Sequence, residues 1–463
     1  MKVIVCGAGK VGTSIAKHLV SQNNDVTVID QSLDLINEIR EKVDLKTING
    51  SASNPSILKM AGADETDMII AVTLQDEINM VACQMAHTFF KIPRKIARLR
   101  SEDFLNPIWR DLYNADNMPI DLIISPELEV AKSIERQLKA PGAYDVVPFL
   151  NDEIELLSLP VNESCPLIDT NLISIHELFQ ENVNKEKNLR ASILGINRGE
   201  HLFIPKKQDK LKNGDLIYIL SDKNHIKRTM NAFGFNEKPI KKIIIVGGGN
   251  IGFNLAKDLE NNNSDITTSI IENNNERARF IADQLNNTLV LNGDGLDQNI
   301  LDEANIKDAD MMLALTNDDE TNIIISAVAR KNNCEPLILV NNSEYNKLKN
   351  VLGISKVIDP RKITVSKILK HVHKGRIESV YSIGNNQAEI IHAQVLKSSK
   401  LLNKSIKDSN LPEGMRIGLI KKPNQIIIPD KNTIIEESDE VLFLCMTNDL
   451  KSAEDLFKIR EAY

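Results

Sequence analysis

Runs of Val, Ile and Leu that are apolar at every position recur along the chain, and between them the apolar residues fall at helical spacing. A run that is apolar throughout, rather than alternating, marks a strand covered on both faces, and therefore a parallel sheet with crossover helices on either side. At the start of the chain the pattern predicts strands over Lys2–Cys6, Asp25–Ile29, Leu45–Ile48, Met68–Val72, Lys95–Leu99 and Leu122–Ile124. Strands alternating with helices in this way predict a doubly wound α/β sheet.

The pattern then returns. Lys2-Val-Ile-Val-Cys-Gly7-Ala-Gly9-Lys-Val-Gly12 reappears as Lys242-Ile-Ile-Ile-Val-Gly247-Gly-Gly249-Asn-Ile-Gly252, with each glycine displaced by 240 residues. The stretch from Ala61 to Thr73 reappears from Ala304 to Thr316, displaced by 243, and Ile204-Pro205 with Asp215 reappears as Ile428-Pro429 with Asp439, displaced by 224. Self-similarity in a fixed order means an internal duplication. Each half reads as a Rossmann-like parallel sheet followed by a small α+β module, whose short strands (Asp215–Leu220, Glu440–Cys445) are set off by turns such as Asn213-Gly214. Pro126, Pro141, Pro360 and the segment Asn236–Pro239 punctuate the junctions and suggest four units: 1–141, 142–236, 239–374 and 375–463. The Asn-rich stretches Asn261–Asn263 and Asn273–Asn275 read as surface loops.

At 463 residues the chain is too long for one ordinary core, in keeping with several units. Its 64 acidic and 56 basic residues give a formal charge of -8, which argues against nucleic acid as a partner. No apolar run approaches the ~18 to 20 residues that cross a bilayer, and a first strand beginning at Lys2 leaves no room for a signal peptide. The five cysteines are scattered without a C-x-x-C pair and sit inside apolar patterns. They indicate core positions in a reducing cytosol, with neither a disulfide framework nor a metal site.

The chemistry concentrates in the glycine motifs. A G-x-G-x-x-G alone is weak evidence, because it also serves as a tight turn with no ligand. Here it follows a strand, opens a helix and is joined by an acidic residue at the end of the next strand. Gly7 permits the turn, Gly9 permits close approach of a pyrophosphate, and Gly12 permits helix-to-sheet packing, while the helix opening near Val11 turns its free N–H groups toward the phosphates. Asp30 lies 18 residues after Gly12 and Glu272 lies 20 after Gly252, close to the spacing of a carboxylate that accepts from a ribose 2′-OH. The same carboxylate repels a 2′-phosphate, so NAD(H) is favoured over NADP(H). Further candidates fall at carboxyl ends of strands: Ser51 and Asp294 after the third, Thr73 and Leu74 with Thr316 and Asn317 after the fourth, and Arg98 on the fifth, whose counterpart is Leu339. Arg98 either meets a phosphate or is a solvated sheet-edge residue.

A dehydrogenase would also need an acid or base, and none of the eight His residues recurs between the halves. His371-x-His373, two residues apart on a predicted helix, diverge by ~200° and read as a solvated helix end. Asp76-Glu77 and Asp319-Glu320 do recur; each pair opens a helix, where carboxylates favour the positive end, so both read as caps. No catalytic residue is assigned. An NAD-dependent oxidoreductase with duplicated Rossmann domains stands as the alternative to a binding protein.

The tandem glycine motifs, Ala71-Val-Thr73 followed by Asp76-Glu77-x-Asn79, and Leu315-Thr-Asn-Asp-Asp-Glu-x-Asn322 closely resemble the TrkA-like family, cytoplasmic regulatory proteins of bacterial Trk potassium uptake systems, over nearly the whole chain. The resemblance implies two RCK domains, each a Rossmann-like RCK-N part followed by a small RCK-C part. It implies a homotetramer peripheral to the inner face of the membrane, acting on a separate integral membrane subunit that conducts potassium. It implies NAD(H) at Gly7, Ala8, Gly9, Lys10, Val11, Asp30, Thr73, Leu74 and Arg98 in the first half, and a second site at Gly247, Gly248, Gly249, Asn250, Ile251, Glu272 and Thr316. Because the family also recognises ATP and ADP, the resemblance leaves the occupant of the second site open.

Overall fold

The computed structural model describes all residues except 22–23, 115, 181–190, 237, 263–264, 343–344, 346–353, 355, 370, 372–376, 385–386, 424 and 458–463. The boundary expected at 375, together with His373 and Asn263, lies outside the described residues.

Strands β1 (Lys2–Cys6), β2 (Asp25–Asp30), β3 (Lys46–Asn49), β4 (Met68–Ala71), β5 (Arg94–Arg98) and β6 (Leu122–Ile124) form a parallel sheet in the order β3-β2-β1-β4-β5-β6. Each lies within a residue or two of its apolar run. Val3, Val5 and Val28 pack on one face beneath Ile15, Ala16 and Leu19, while Ile4 and Cys6 pack on the other beneath Ala82, Cys83 and Ala86. This two-sided burial is why the runs do not alternate. The second half repeats the sheet with β12 (Lys242–Val246), β13 (Thr267–Glu272), β14 (Leu289–Asn292), β15 (Met311–Ala314), β16 (Glu335–Leu339) and β17 (Lys356–Ile358), in the order β14-β13-β12-β15-β16-β17. In both sheets the order reverses beside the first strand of the half, so a crevice opens at the carboxyl ends there.

The trailing modules are antiparallel. β7 (Asp145–Phe149), β8 (Ile154–Pro160), β9 (Ala191–Arg198), β10 (His201–Phe203) and β11 (Asp215–Asp222) are ordered β10-β9-β11-β8-β7. β18 (Ile377–Ile383), β19 (Ala388–Gln394), β21 (Met415–Lys422), β22 (Gln425–Ile427) and β24 (Glu440–Met446) are ordered β18-β19-β24-β21-β22, with β20 (Lys404–Ser405) and β23 (Ile434–Ile435) paired apart. The two sheets meet face to face over a shared apolar core that includes Leu156, Leu194, Leu220, Ile390, Leu419 and Leu444.

The halves are interlocked elsewhere as well. The helix Pro126–Lys139, which leaves the first sheet, buries Val130, Ala131, Ile134 and Leu138 in the core of the second, beside Phe253, Leu255 and Leu259. In return the helix Pro360–Leu369, which leaves the second sheet, buries Ile368 in the core of the first, beside Ile15 and Leu19. Lys367 Nζ lies 3.1 Å from Glu129 Oε1 and ties the two exit helices together.

All five cysteines are buried, as their apolar surroundings suggest; burial raises the Cys83 and Cys334 thiols to about 12 and keeps them protonated. Three loop and helix expectations differ. Asn261 and Asn262 belong to the helix Asn250–Asn262, and Asn274 is not a passive loop residue, because its side chain accepts from Arg277 N (2.9 Å) and caps the helix Asn275–Gln284. His371 follows its helix in a turn rather than lying on it.

The recurring Asp215 and Asp439 are 1% and 0% exposed. Asp215 accepts from Arg198 Nε (2.7 Å) and Nη2 (2.8 Å), and Asp439 from Lys422 Nζ (3.1 Å), the cation in each case coming from the equivalent position of the neighbouring strand. Arg198 keeps partial access to water, so removing its partner strands a half-solvated cation rather than a sealed one. Asp215→Ala is expected to cost about 1–3 kcal/mol, read as a lower urea midpoint for the module's transition; an unchanged midpoint would count against the pair.

Candidate functional site

The sheet's reversal point places the first glycine loop between β1 and β4. Gly7 has φ +111°, and a Cβ there would sit 3.0 Å from the Val72 carbonyl oxygen. At Gly12 a Cβ would lie 1.8 Å from the Gly7 carbonyl oxygen, so only glycine lets the helix Lys10–Ser21 turn this tightly onto the loop. A Cβ on Gly9, by contrast, would meet nothing within 4 Å. The first helical bond runs from Thr13 N to Gly9 O (2.9 Å), which leaves the amides of Lys10, Val11 and Gly12 without intrahelical partners and pointing out of the helix start.

Asp30 is fixed by the loop it serves. Its Oδ2 accepts from Ala8 N (2.6 Å) and its Oδ1 from Ser32 N (2.8 Å), which orients the carboxylate and leaves each oxygen a second lone pair. Glu272 repeats this with Gly248 N (2.8 Å) and Asn274 N (2.8 Å). A cradle with free amides, clear space beside its central glycine and an oriented carboxylate on the next strand fits a dinucleotide.

Thr73 closes the cradle from β4. Its N–H and hydroxyl both reach Asn79 Oδ1 (2.9 and 2.8 Å), and Asn79 Nδ2 donates to Thr73 O (3.1 Å) and Arg98 O (2.8 Å). Asn322 makes the same contacts with Thr316 N (3.1 Å), Thr316 O (3.0 Å) and Leu339 O (2.9 Å). These fully buried asparagines rivet the ends of two strands at the crevice, a role not assigned from the sequence although both recur six residues after a threonine. Leu74 beyond Thr73 is 79% exposed at the mouth, and its counterpart Asn317 is exposed too. Ser51 contacts Ser53 Oγ (2.8 Å), and Asp294 accepts from Leu296 N (2.9 Å), so both brace the turn after the third strand.

Two expectations are corrected. Arg98 is not a solvated edge residue: β5 lies inside the sheet, Arg98 is 8% exposed, and its Nη2 donates to Thr73 O (3.1 Å). Burial and then Arg100 lower its pKa, against the pull of Glu127 and Asp76. Asp76 and Asp319 do not cap their own helices. Asp76 Oδ2 accepts from Arg100 N and Ser101 N (2.8 Å each), and Asp319 from Asn341 N and Asn342 N (2.8 Å each), so each ties its helix to the loop after the next strand.

The cradles differ behind the loop. In the first, Thr13 Oγ1 donates to Ala8 O (2.8 Å) and Leu35 packs in the core with Ala8. In the second, Phe253 replaces Thr13, and Arg277, in the place of Leu35, supplies the missing bond: its Nε donates to Gly248 O (2.8 Å) while its guanidinium lies 5.3 Å from the Phe253 ring and 5.0 Å from that of Phe280. Among the described residues no cluster of His, Cys, Asp or Glu is placed to hold a metal ion.

The TrkA-N domain family matches residues 3–126 and 243–360, and the TrkA-C domain family matches residues 156–234 and 391–458. A Trk system potassium uptake protein TrkA from Azorhizobium caulinodans is 40% identical over 460 residues, covering 99% of both chains. The chain belongs to the TrkA family. Its fold is that of the solved GsuK RCK domain (TM-score 0.60, 17% identity, 98% of this chain and 94% of that one) and of the GsuK channel bound to NAD (TM-score 0.60, 18% identity, 98% and 78%). The family's duplicated TrkA-N and TrkA-C parts coincide with the parallel and antiparallel sheets described above.

Because space is open beside Gly9 and closed beside Gly12, the two glycines separate binding from folding. Gly9→Ala is expected to leave thermal stability unchanged while weakening nucleotide binding roughly tenfold or more, about 1.4 kcal/mol per factor of ten. Gly12→Ala is expected to cost about 1–3 kcal/mol of stability; calorimetric titration beside thermal melts of the full chain distinguishes the two. At the second cradle, Arg277→Leu is expected to weaken binding there alone, and adding Phe253→Thr, which restores the first half's pair, is expected to recover part of the loss.

Proposed function

We propose that the chain is a nucleotide-responsive regulatory subunit of a potassium uptake system, peripheral on the cytoplasmic face of the membrane, acting on a separate membrane-spanning subunit that conducts potassium. The observation that carries this reading is the exchange of exit helices. The helix Pro126–Lys139 of the first half rests on the second half's glycine-motif helix, Asn250–Asn262, and the helix Pro360–Leu369 rests on the first half's, Lys10–Ser21. A ligand that shifts either phosphate-binding helix therefore presses on an element covalently rooted in the other half.

In the first cradle the loop from Gly7 to Gly12 would hold the pyrophosphate of NAD(H) and Asp30 the ribose hydroxyls, with Ser51, Thr73, Leu74 and Arg98 around the remainder. In the second, Gly247 to Gly252 and Glu272 would do the same, with Asp294, Thr316 and Asn317. When bound, NAD(H) supplies charge and shape rather than hydride chemistry, and ADP or ATP would share the adenosine end. The NAD-bound form of the GsuK channel supports NAD as the first ligand to test. The working units are 1–141, 142–236, 239–374 and 375–463, two leading and two trailing, and four copies would bring eight leading domains into one assembly. Moving a 1:99 equilibrium to 99:1 takes about 5.5 kcal/mol of differential affinity, which eight cradles would reach with less than about 1 kcal/mol each. Among the described residues no helix is long and apolar enough to cross a membrane, which supports assigning conduction to a partner.

The test is potassium-limited growth of a deletion strain complemented with the wild-type chain or Gly9→Ala, alongside conductance of the reconstituted partner with and without NADH, NAD, ADP and ATP. Nucleotide-dependent conductance lost in Gly9→Ala is expected. Conductance indifferent to every nucleotide, or chemical turnover of NADH, would contradict the reading.

A further inference from the structure

The two trailing modules face each other through β9 and β21, which correspond residue for residue at a displacement of 224. Both strands bulge at the same place. Pairing with β11 slips from Tyr218↔Gly195 to Ile219↔Ile193, leaving Leu194 unpaired, and pairing with β24 slips from Ile417↔Phe443 to Leu419↔Leu442, leaving Gly418 unpaired. Leu194 and Gly418 are thus equivalents, as are Gly195 and Leu419.

These bulge residues meet. A Cβ on Gly418 would lie 2.3 Å from Leu194 Cδ2 and 3.0 Å from Leu220 Cδ1. A residue that touches its own repeat equivalent lies on the pseudo-two-fold axis relating the modules. At the axial position itself the first module presents a buried leucine and the second a bare glycine, its own bulge leucine, Leu419, standing one residue on in the same core. Two first modules so paired would drive Leu194 into Leu194; two second modules would leave a void between glycines. Only unlike modules bring one knob to one hole.

A polar contact beside the axis is one-sided in the same sense. Arg416 Nη1 donates to Pro205 O (2.7 Å), whereas the equivalent of Arg416 in the first module is Ser192, too short to return the bond to Pro429. A pair of first modules would lack this bond twice over.

We propose that Leu194 and Gly418 select the partner of each trailing module: the face takes the unlike module and rejects the like module of a second copy. The connection within the chain then favours its own unlike module by effective concentration. Copies of the chain accordingly associate through other surfaces, and their halves cannot be exchanged for one another along the assembly. The selection works through a clash built against the wrong pair.

The test uses the full chain. Gly418→Leu is expected to lower the unfolding midpoint by about 2–4 °C or more, and Leu194→Gly to lower it by leaving a cavity. The exchanged double variant, Leu194→Gly with Gly418→Leu, is expected to recover part of the loss, because a leucine and a glycine still meet on the axis while Gly195 and Leu419 keep their sides. If Gly418→Leu does not fold, a double variant that folds carries the proposal, and one that fails to fold as well overturns it. A double variant no more stable than the sum of its single losses overturns the proposal. For partner choice, Leu194→Cys with Gly418→Cys is expected to give an intrachain crosslink on oxidation, and Leu194→Cys alone to stay uncrosslinked. Disulfide-linked dimers from Leu194→Cys alone would show like modules pairing and overturn it.

Discussion

The structure depends on the burial of each exit helix in the opposite half. Val130, Ala131, Ile134 and Leu138 complete the core of a sheet whose first strand begins more than a hundred residues later, and Ile368 completes the core of the sheet that opens the chain. Each of the valine, leucine and isoleucine side chains contributes of order 1.5–3 kcal/mol on burial, so neither half is fully packed without the other. A two-domain protein joined by a loose linker would let its domains drift; here the connection between them is itself core.

That arrangement also gives the nucleotide cradles their leverage. The glycine loop is held on one side by the close passage of Gly12 over the Gly7 carbonyl and on another by the carboxylate of Asp30, while Asn79 fixes the strand ends opposite. On the function proposed above, a cradle held this firmly would pass a ligand's displacement to the helix behind the loop, and on to the exit helix packed against it. The second cradle reaches the same rigidity by different means, with Arg277 stacked on Phe253 replacing a threonine's hydroxyl.

Much of this could be read from the amino-acid sequence. The strands were legible because burial on both faces erases alternation, and the glycine motifs because their spacing is dictated by backbone contacts rather than by side chains. The exchange of exit helices was not, because an amphipathic helix looks the same whichever core receives it. Asp76 was misread for a related reason: a carboxylate opening a helix is locally a cap, and only the fold brings the Arg100 and Ser101 amides to it. Arg98 was ambiguous until the strand order put β6 outside it. Arg277 and Phe253 lie 24 residues apart and make sense only as a pair, each compensating for the other's departure from the first half.

The leucine and glycine on the pseudo-two-fold axis carry a history. In an ancestral dimer of identical subunits a single codon fixes both sides of the axis, so a knob can never face a hole: every substitution there is made twice. Fusion of two copies into one gene lifts that restriction, and the axis becomes the one place where divergence is visible at once as handed complementarity. On the proposal above, Leu194 opposite Gly418 postdates the duplication and marks the two halves as no longer interchangeable.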